Sequence, residues 1–215
     1  MLGLPGEMYD DIEGIAVLSD KIAREYYTIP KDKRNGKVNI VTSTSIFVPK
    51  PFTPFQWSPM NTKEQARDKR DFLLDNIKSQ LNSNSIKYNC HDADVSELEG
   101  VFARGDRRIC NVILQAYKSG CIYDAWSEYF KYENWLKAFE DNGLDMDFYI
   151  GRERPEDELF PWDFIDIGVT KQFMLREYKR SKEEVVTPNC RAKCAGCGAM
   201  KFKCGVCVED AGQEA

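Results

Sequence analysis

Apolar residues recur at helical spacing early in the chain. Ile12, Ile15, Ala16, Ile22, Ala23 and Tyr26 follow i, i+3, i+4 intervals, which predicts an amphipathic helix. Met1, Leu2, Leu4 and the turn signal Pro5-Gly6 precede it, so the opening residues read as the end of a strand, a turn and a helix start. A typical strand needs about five or six residues, more than stand before this turn. The sequence is therefore expected to be the later part of a longer reading frame.

After a charged turn containing Asn35-Gly36, "KVNIVTSTSIFV" is rich in β-branched residues and predicts a strand from about Val38 to Val48. The prolines of "PKPFTPFQW" stop it and impose an extended, aromatic-lined loop. A long charged helix is predicted from about Thr62 to Asn82, with Phe72, Leu73, Ile77 and Leu81 as its apolar face. Strand and helix in alternation is the grammar of a parallel α/β sheet or barrel.

The second half reads differently. "SIKYNCHD" predicts one more short strand, and "SELE" at 96–99 a capping box opening a short helix that ends at Gly105. Asp106 is expected to cap a helix with Ile109, Val112, Ile113, Ala116 and Tyr117 on its core face. A further helix over about Tyr132 to Asn142 presents Trp135, Leu136 and Phe139, and another, capped by Thr170, carries Phe173, Met174 and Tyr178. "VVTPN" at 185–189 is read as a linker into a cysteine-rich tail.

Composition is that of a folded chain, with 42% hydrophobic and 30% charged residues. A net charge of -5 gives no support to a nucleic-acid surface spread over the whole protein, although a local basic patch is compatible with it. No apolar run approaches the roughly 18 residues that span a bilayer, and no signal-peptide pattern opens the chain. A cytoplasmic location is expected. Five of the eight cysteines fall between Cys190 and Cys207, while Cys90, Cys110 and Cys121 are scattered. Clustered thiols in such a chain point to metal.

"CRAKCAGC" at 190–197 and "CGVC" at 204–207 supply Cys190, Cys194, Cys197, Cys204 and Cys207. Thiolates two or three residues apart can converge on one metal, because the intervening turn aims backbone amides at the sulfurs and offsets their charge. Arg191, Lys193, Lys201 and Lys203 add positive charge in the same segment, which suits either zinc or an iron-sulfur cluster. Five candidates exceed the four that a simple site needs, so Cys204 or Cys190 is a candidate spare. Free reduced thiols on an exposed tail are the plain alternative, disfavoured because such thiols oxidise readily.

"GLPGE" is the second candidate. Glycines let a backbone approach a ligand, and Glu7 stands where active-site groups sit at the C-terminal ends of barrel strands. An ordinary strand-to-helix turn, with acids favouring the helix dipole, accounts for the same residues. Arg104, Arg107 and Arg108 could grip an anion, but a helix end followed by a helix start with solvated arginines is the favoured reading. His91, the only histidine, reads as a loop residue. The aromatic run "YDAWSEYFKYENW" reads as packing surface for the helical half, with substrate lining as the alternative. No catalytic residue is assigned.

Together these segments resemble the radical S-adenosylmethionine superfamily. "GLPGEMYDDI" looks like the "GLPGET-x-x-D" segment at a late strand of those barrels, with Met8 where the family commonly has Thr. "SIFVPKPFTPFQW" is similar to the closing strand and "TP" loop of the branch that includes methylthiotransferases. "VFARGDRR", "AWSEYF", "FPWDFIDIGVTKQF" and the terminal cysteines resemble a subgroup of large radical proteins of unassigned substrate with a cobalamin-binding-like N-terminal region.

The resemblance implies an α/β fold in three parts. Residues 1–92 would be an incomplete (β/α) barrel of late strands and helices, 93–186 a helical extension, and 187–215 a cysteine-rich metal-binding tail. In the superfamily the cluster that cleaves S-adenosylmethionine lies after the first barrel strand, whereas here C-x3-C-x2-C comes last. The terminal cysteines are thus expected to hold an auxiliary iron-sulfur or zinc site. Gly3, Gly6 and Glu7 would lie at the S-adenosylmethionine end of the intact parent's active site, with "PKPFTPF" lining the same mouth. The chain alone is expected to be inactive, and its expected partner is the preceding part of the same protein. The competing expectation is a non-catalytic zinc module contacting nucleic acid or a protein partner.

Overall fold

β-Branched residues with no glycine or proline among them form β1 (Ile40–Thr44), and "IKYNC" forms β2 (Ile86–Cys90). The computed structural model describes residues 1–202. β1 and β2 run parallel, with Ile40 opposite Ile86 and Thr44 opposite Cys90. The strand from the β-branched run is shorter than expected, because beyond Thr44 the chain leaves β2 and pairs on its other edge. There Leu2 N donates to Ser45 O at 2.8 Å and Phe47 N to Leu2 O at 2.7 Å, while His91 N donates to Thr44 O on the β2 side. Consecutive carbonyls of a strand point to opposite edges, so Leu2 and β2 flank β1.

Parallel strands need crossovers, and two helices supply them. α1 (Tyr9–Tyr27) links the Leu2 bridge to β1, and α2 (Lys63–Ser79) lies between β1 and β2. The two helices pack on each other and against the sheet. Ile12, Ala16 and Ala23 of α1 and Leu73 and Ile77 of α2 are buried as the spacing predicts. Ile22 is half-exposed instead, and Leu81 is 80% exposed because α2 ends at Ser79. Ser19 and Asp20 take up buried positions in α1. Ser19 Oγ shares a 2.8 Å hydrogen bond with Thr42 Oγ1, and Asp20 Oδ1 accepts from the backbone and side-chain nitrogens of Asn82, each at 2.9 Å. Ile40, Thr42 and Thr44 with Ile86, Tyr88 and Cys90 turn inward, whereas the alternate residues of both strands are exposed, Val41 by 60%.

The remaining helices are α3 (Ala93–Arg104), α4 (Ile109–Lys118), α5 (Tyr132–Asp141), α6 (Met146–Ile150) and α7 (Lys171–Lys182). α3 starts earlier than the "SELE" signal predicts. Asp92 Oδ1 accepts from Asp94 N and Val95 N, and Ser96 lies inside the helix with its hydroxyl bonded to Asp92 O. Aspartate and serine cap about equally well, so packing makes the choice, and Ala93 in the first turn is buried in the core. Asp106 stands two residues ahead of the α4 cap position, which Arg108 occupies, and its carboxylate accepts from Arg108 N at 2.9 Å. Ile113 and Tyr117, expected in the core, are exposed.

Two hydrophobic cores result. The first draws on residues from Leu2 to Ile150 and holds the sheet, α1 and α2 against α3 to α6. The second forms where the proline-rich loop meets α7, with Trp57, Phe160, Trp162, Met174 and Tyr178 at its centre. Trp57 stacks on Tyr178 with ring centroids 5.8 Å apart, and Gln56 Oε1 accepts from Trp162 Nε1 at 2.8 Å. The protein is thus α/β, mostly helical, with a small parallel sheet. Among the described residues no helix is long and apolar enough to cross a membrane.

Candidate functional site

The "GLPGE" turn is built around its own acid. Glu7 Oε2 accepts from Gly3 N and from Lys69 Nζ of α2, each at 2.8 Å, and the backbone closes between Glu7 N and Leu4 O. Both charged side chains are largely buried, Glu7 at 7% exposure and Lys69 at 14%. Gly3 and Gly6 have φ of +90° and +81°, the left-handed region that glycine enters without strain. At Gly3 a Cβ would also sit 2.5 Å from Asn61 Oδ1.

This turn forms one wall of a cavity of about 450 Å³. The opposite wall is the entry to α2, Pro59 to Thr62, with Gln65 and Lys69 behind it and Gly151 at the side. A capping box holds that entry: Thr62 Oγ1 accepts from Gln65 N at 3.2 Å and Gln65 Oε1 from Thr62 N at 3.0 Å. Gly3, Gly6 and Glu7 all line this cavity. The "PKPFTPF" residues do not line it; Phe52 and Phe55 pack against the second core instead. Apolar rings gain more by joining Trp57 and Met174 than by facing a polar cavity.

The cysteine segment is docked on the start of α7. Thr170 N donates to Cys197 O at 2.9 Å, Arg176 donates to Ala195 O, and Lys201 pairs with Asp166. Gly198 fits closely there, since a Cβ would lie 2.8 Å from Gly168 O. Asn189 Oδ1 accepts from Arg191 N and Ala192 N, turning the chain after Cys190. Between Cys194 and Cys197, Gly196 takes φ +65° and its amide donates to Cys194 Sγ at 3.5 Å. Cys190 and Cys194 are exposed and Cys197 is half-buried. Among the described residues no three metal-ligating side chains converge. Cys204 and Cys207 lie outside the described residues. Arg176, Arg180 and Lys193 line a depression of about 360 Å³ beside Cys194.

The arginine run departs from expectation. Arg107 and Arg108 are exposed, and Arg108 pairs with Asp106 at 2.6 Å. Arg104 is not solvated but 1% exposed, and donates to Ser58 O at 2.7 Å and Gln56 O at 3.3 Å. Its carbonyl accepts from Arg154, itself buried, whose partner Glu158 also holds Arg152 through two hydrogen bonds. Burial, then the neighbouring Arg154 and Arg152 charges, push Arg104 down to about 9, which leaves it charged at neutral pH. Arg104 thus joins α3 to the proline-rich loop rather than gripping an anion. Only the contact of a distant loop carbonyl distinguishes it from its solvated neighbours, and sequence spacing does not contain that contact.

His91 is exposed in the loop after β2, as read. In the aromatic run Trp135 is buried and Phe130 and Tyr132 pack on the first core, but Tyr123, Trp126 and Tyr129 are more than half exposed. Gln65 and Lys69, polar residues on a highly charged helix, and Asn61 just ahead of it carry no periodic signal in the sequence. Comparison with protein-family models, curated proteins and solved structures finds no match to this chain.

Proposed function

We propose that the chain is the later part of a radical S-adenosylmethionine-type unit whose terminal cysteines hold an auxiliary iron-sulfur or zinc centre. The observation that carries the metal reading is the turn Cys194 to Cys197. An amide aimed at a thiolate, with a left-handed glycine making the turn, is how closely spaced cysteines lower the charge cost of gathering around a metal. Cys194 and Cys197 would be ligands, with Cys190, Cys204 and Cys207 supplying the others. Arg176 and Lys193 nearby would offset the residual negative charge. Bound there, a cluster would supply an electron-transfer or substrate-anchoring centre, and zinc a structural clamp.

The partial-barrel part of the reading is supported by two features. Leu2, β1 and β2 lie side by side in parallel with helical crossovers, and one face of the sheet is exposed although parallel sheets are ordinarily covered on both. The cavity beside Gly3, Gly6 and Glu7 lies at the end of the Leu2 segment where it leaves the sheet, the end at which barrel ligands bind. Glu7 would shape that end, since Oε2 already holds Gly3 and Lys69.

The basic depression at Arg176, Arg180 and Lys193 favours a second reading, a zinc module contacting nucleic acid or a protein partner. Metal analysis of the full chain made under anaerobic conditions separates the two. A brown protein with iron and sulfide, both lost in Cys194→Ala and Cys197→Ala, supports the auxiliary cluster. One tightly held zinc supports the module. Metal content unchanged by both substitutions overturns either.

A further inference from the structure

One face of α3 lies open above a cavity of about 500 Å³ that shares no residue with either candidate site. Val95, Leu98 and Phe102 follow one another at spacings of three and four, so their side chains form one stripe on the helix. With Ala103 and Phe130 they make an apolar wall, and Val95 and Phe102 remain substantially exposed. Trp135 fixes the Phe102 ring edge-on, at 5.2 Å between centroids. The volume falls within the roughly 300 to 1,000 Å³ typical of small-molecule sites.

Three ionisable side chains share the lining: Lys50, Glu99 and Asp124. Lys50 is bonded to Glu99, and those charges offset each other. Asp124 has no ion-pair partner among the described residues. Its Oδ2 accepts from Trp135 Nε1 at 3.3 Å, while Oδ1 is shielded from water and has no hydrogen-bond partner among them. A shielded carboxylate oxygen without a donor is costly, and a donor brought to it recovers that cost. The terminal torsion of an aspartate is soft, so a modest turn presents Oδ1 to a neighbour.

We propose that this cavity binds a small amphipathic cation, an aromatic or branched aliphatic body carrying a protonated amine. The body lies against Val95, Leu98, Phe102 and Phe130, and the ammonium group meets the Asp124 carboxylate beside two aromatic rings whose faces also attract cations. An anion of the same shape meets the uncompensated charge of Asp124 and is rejected. A neutral analogue keeps the apolar contacts alone.

Titration of the full chain with phenethylamine, 2-phenylethanol and 3-phenylpropionate, followed by amide chemical shifts and calorimetry, tests this. The expected result is shift changes centred on Val95, Phe102 and Phe130, with the amine bound about tenfold more tightly than the alcohol and the carboxylate weakest. Asp124→Asn is expected to abolish the preference for the amine while leaving the alcohol's affinity unchanged, which also shows that the variant is folded. Equal affinities for the three probes, shifts centred elsewhere, or an amine preference that survives Asp124→Asn would overturn the assignment.

Discussion

Glu7 Oε2 lies 2.8 Å from Lys69 Nζ, tying the first turn of the chain to the middle of α2 across 62 positions of sequence. The pair is nearly out of water, so removing one partner strands the other. Lys69→Met is expected to lower unfolding free energy by about 2 kcal/mol, read from the urea midpoint. Adding Glu7→Gln is expected to recover part of that loss. Strict additivity of the two substitutions would show that the contact contributes nothing.

The two glycines of the turn are separable. Gly6→Ala meets only backbone strain, since no atom lies near its Cβ position, and is expected to cost about 1 kcal/mol. Gly3→Ala meets the same strain and a close contact with Asn61, and is expected to cost more. Asn61→Ala in the Gly3→Ala background is expected to restore part of the difference in melting temperature. Equal melting temperatures for the two glycine variants would contradict the Asn61 contact.

Arg104 and Arg107 sit three residues apart with opposite expected consequences. Arg104→Ala leaves Ser58 O and Gln56 O without their donor and opens a void, for an expected loss of about 3 kcal/mol. Arg107→Ala is expected to stay within about 0.5 kcal/mol. Chemical denaturation of both variants checks the contrast.

Asp20 is buried, which pushes its carboxyl up, but hydrogen bonds from the Asn82 backbone and side chain and the Arg24 charge outweigh that and hold it below its ordinary value. The unfolded chain therefore binds the proton more readily. The stabilisation from Asp20 is fully present above the ordinary carboxylate range, and is lost as pH falls through that range toward the lower folded value. Asp20→Asn is expected to lower stability at pH 7 and to flatten its fall between about pH 5 and pH 3. An unchanged slope in that window would assign the acid sensitivity to other carboxylates.

Gly196 makes the turn between Cys194 and Cys197 in a left-handed conformation. Gly196→Ala is expected to weaken metal affinity about fivefold through backbone strain of roughly 1 kcal/mol. Gly196→Pro also removes the amide that donates to Cys194 Sγ, and a larger loss is expected. Competition with a chelator measures both. Unaltered affinity in the proline variant would remove the turn from the proposed metal site.

Periodicity was enough to locate the helices around Ile12, Leu73, Val112, Trp135 and Met174, because each buries a regularly spaced face and that spacing is written in the chain. The β-branched run and "IKYNC" likewise marked the two strands. Helix starts were less legible: Asp92 and Ser96 both carry cap-forming oxygens, and only the position of the helix in the core selects between them. α6 is too short to show a period.

By itself, the sequence determined the longer helices and the two strands, the grouping of cysteines and the glycine-rich turn, since these depend on neighbours along the chain. The tertiary structure alone decided that Leu2 pairs beside Ile46, that Glu7 is neutralised by Lys69, that Arg104 is buried while Arg107 is solvated, and that Asp124 Oδ1 is buried with no hydrogen-bond partner among the described residues. Each of those depends on what packing brings close from tens of residues away. Polar side chains look alike in sequence until burial removes water and makes the identity of their partner decisive.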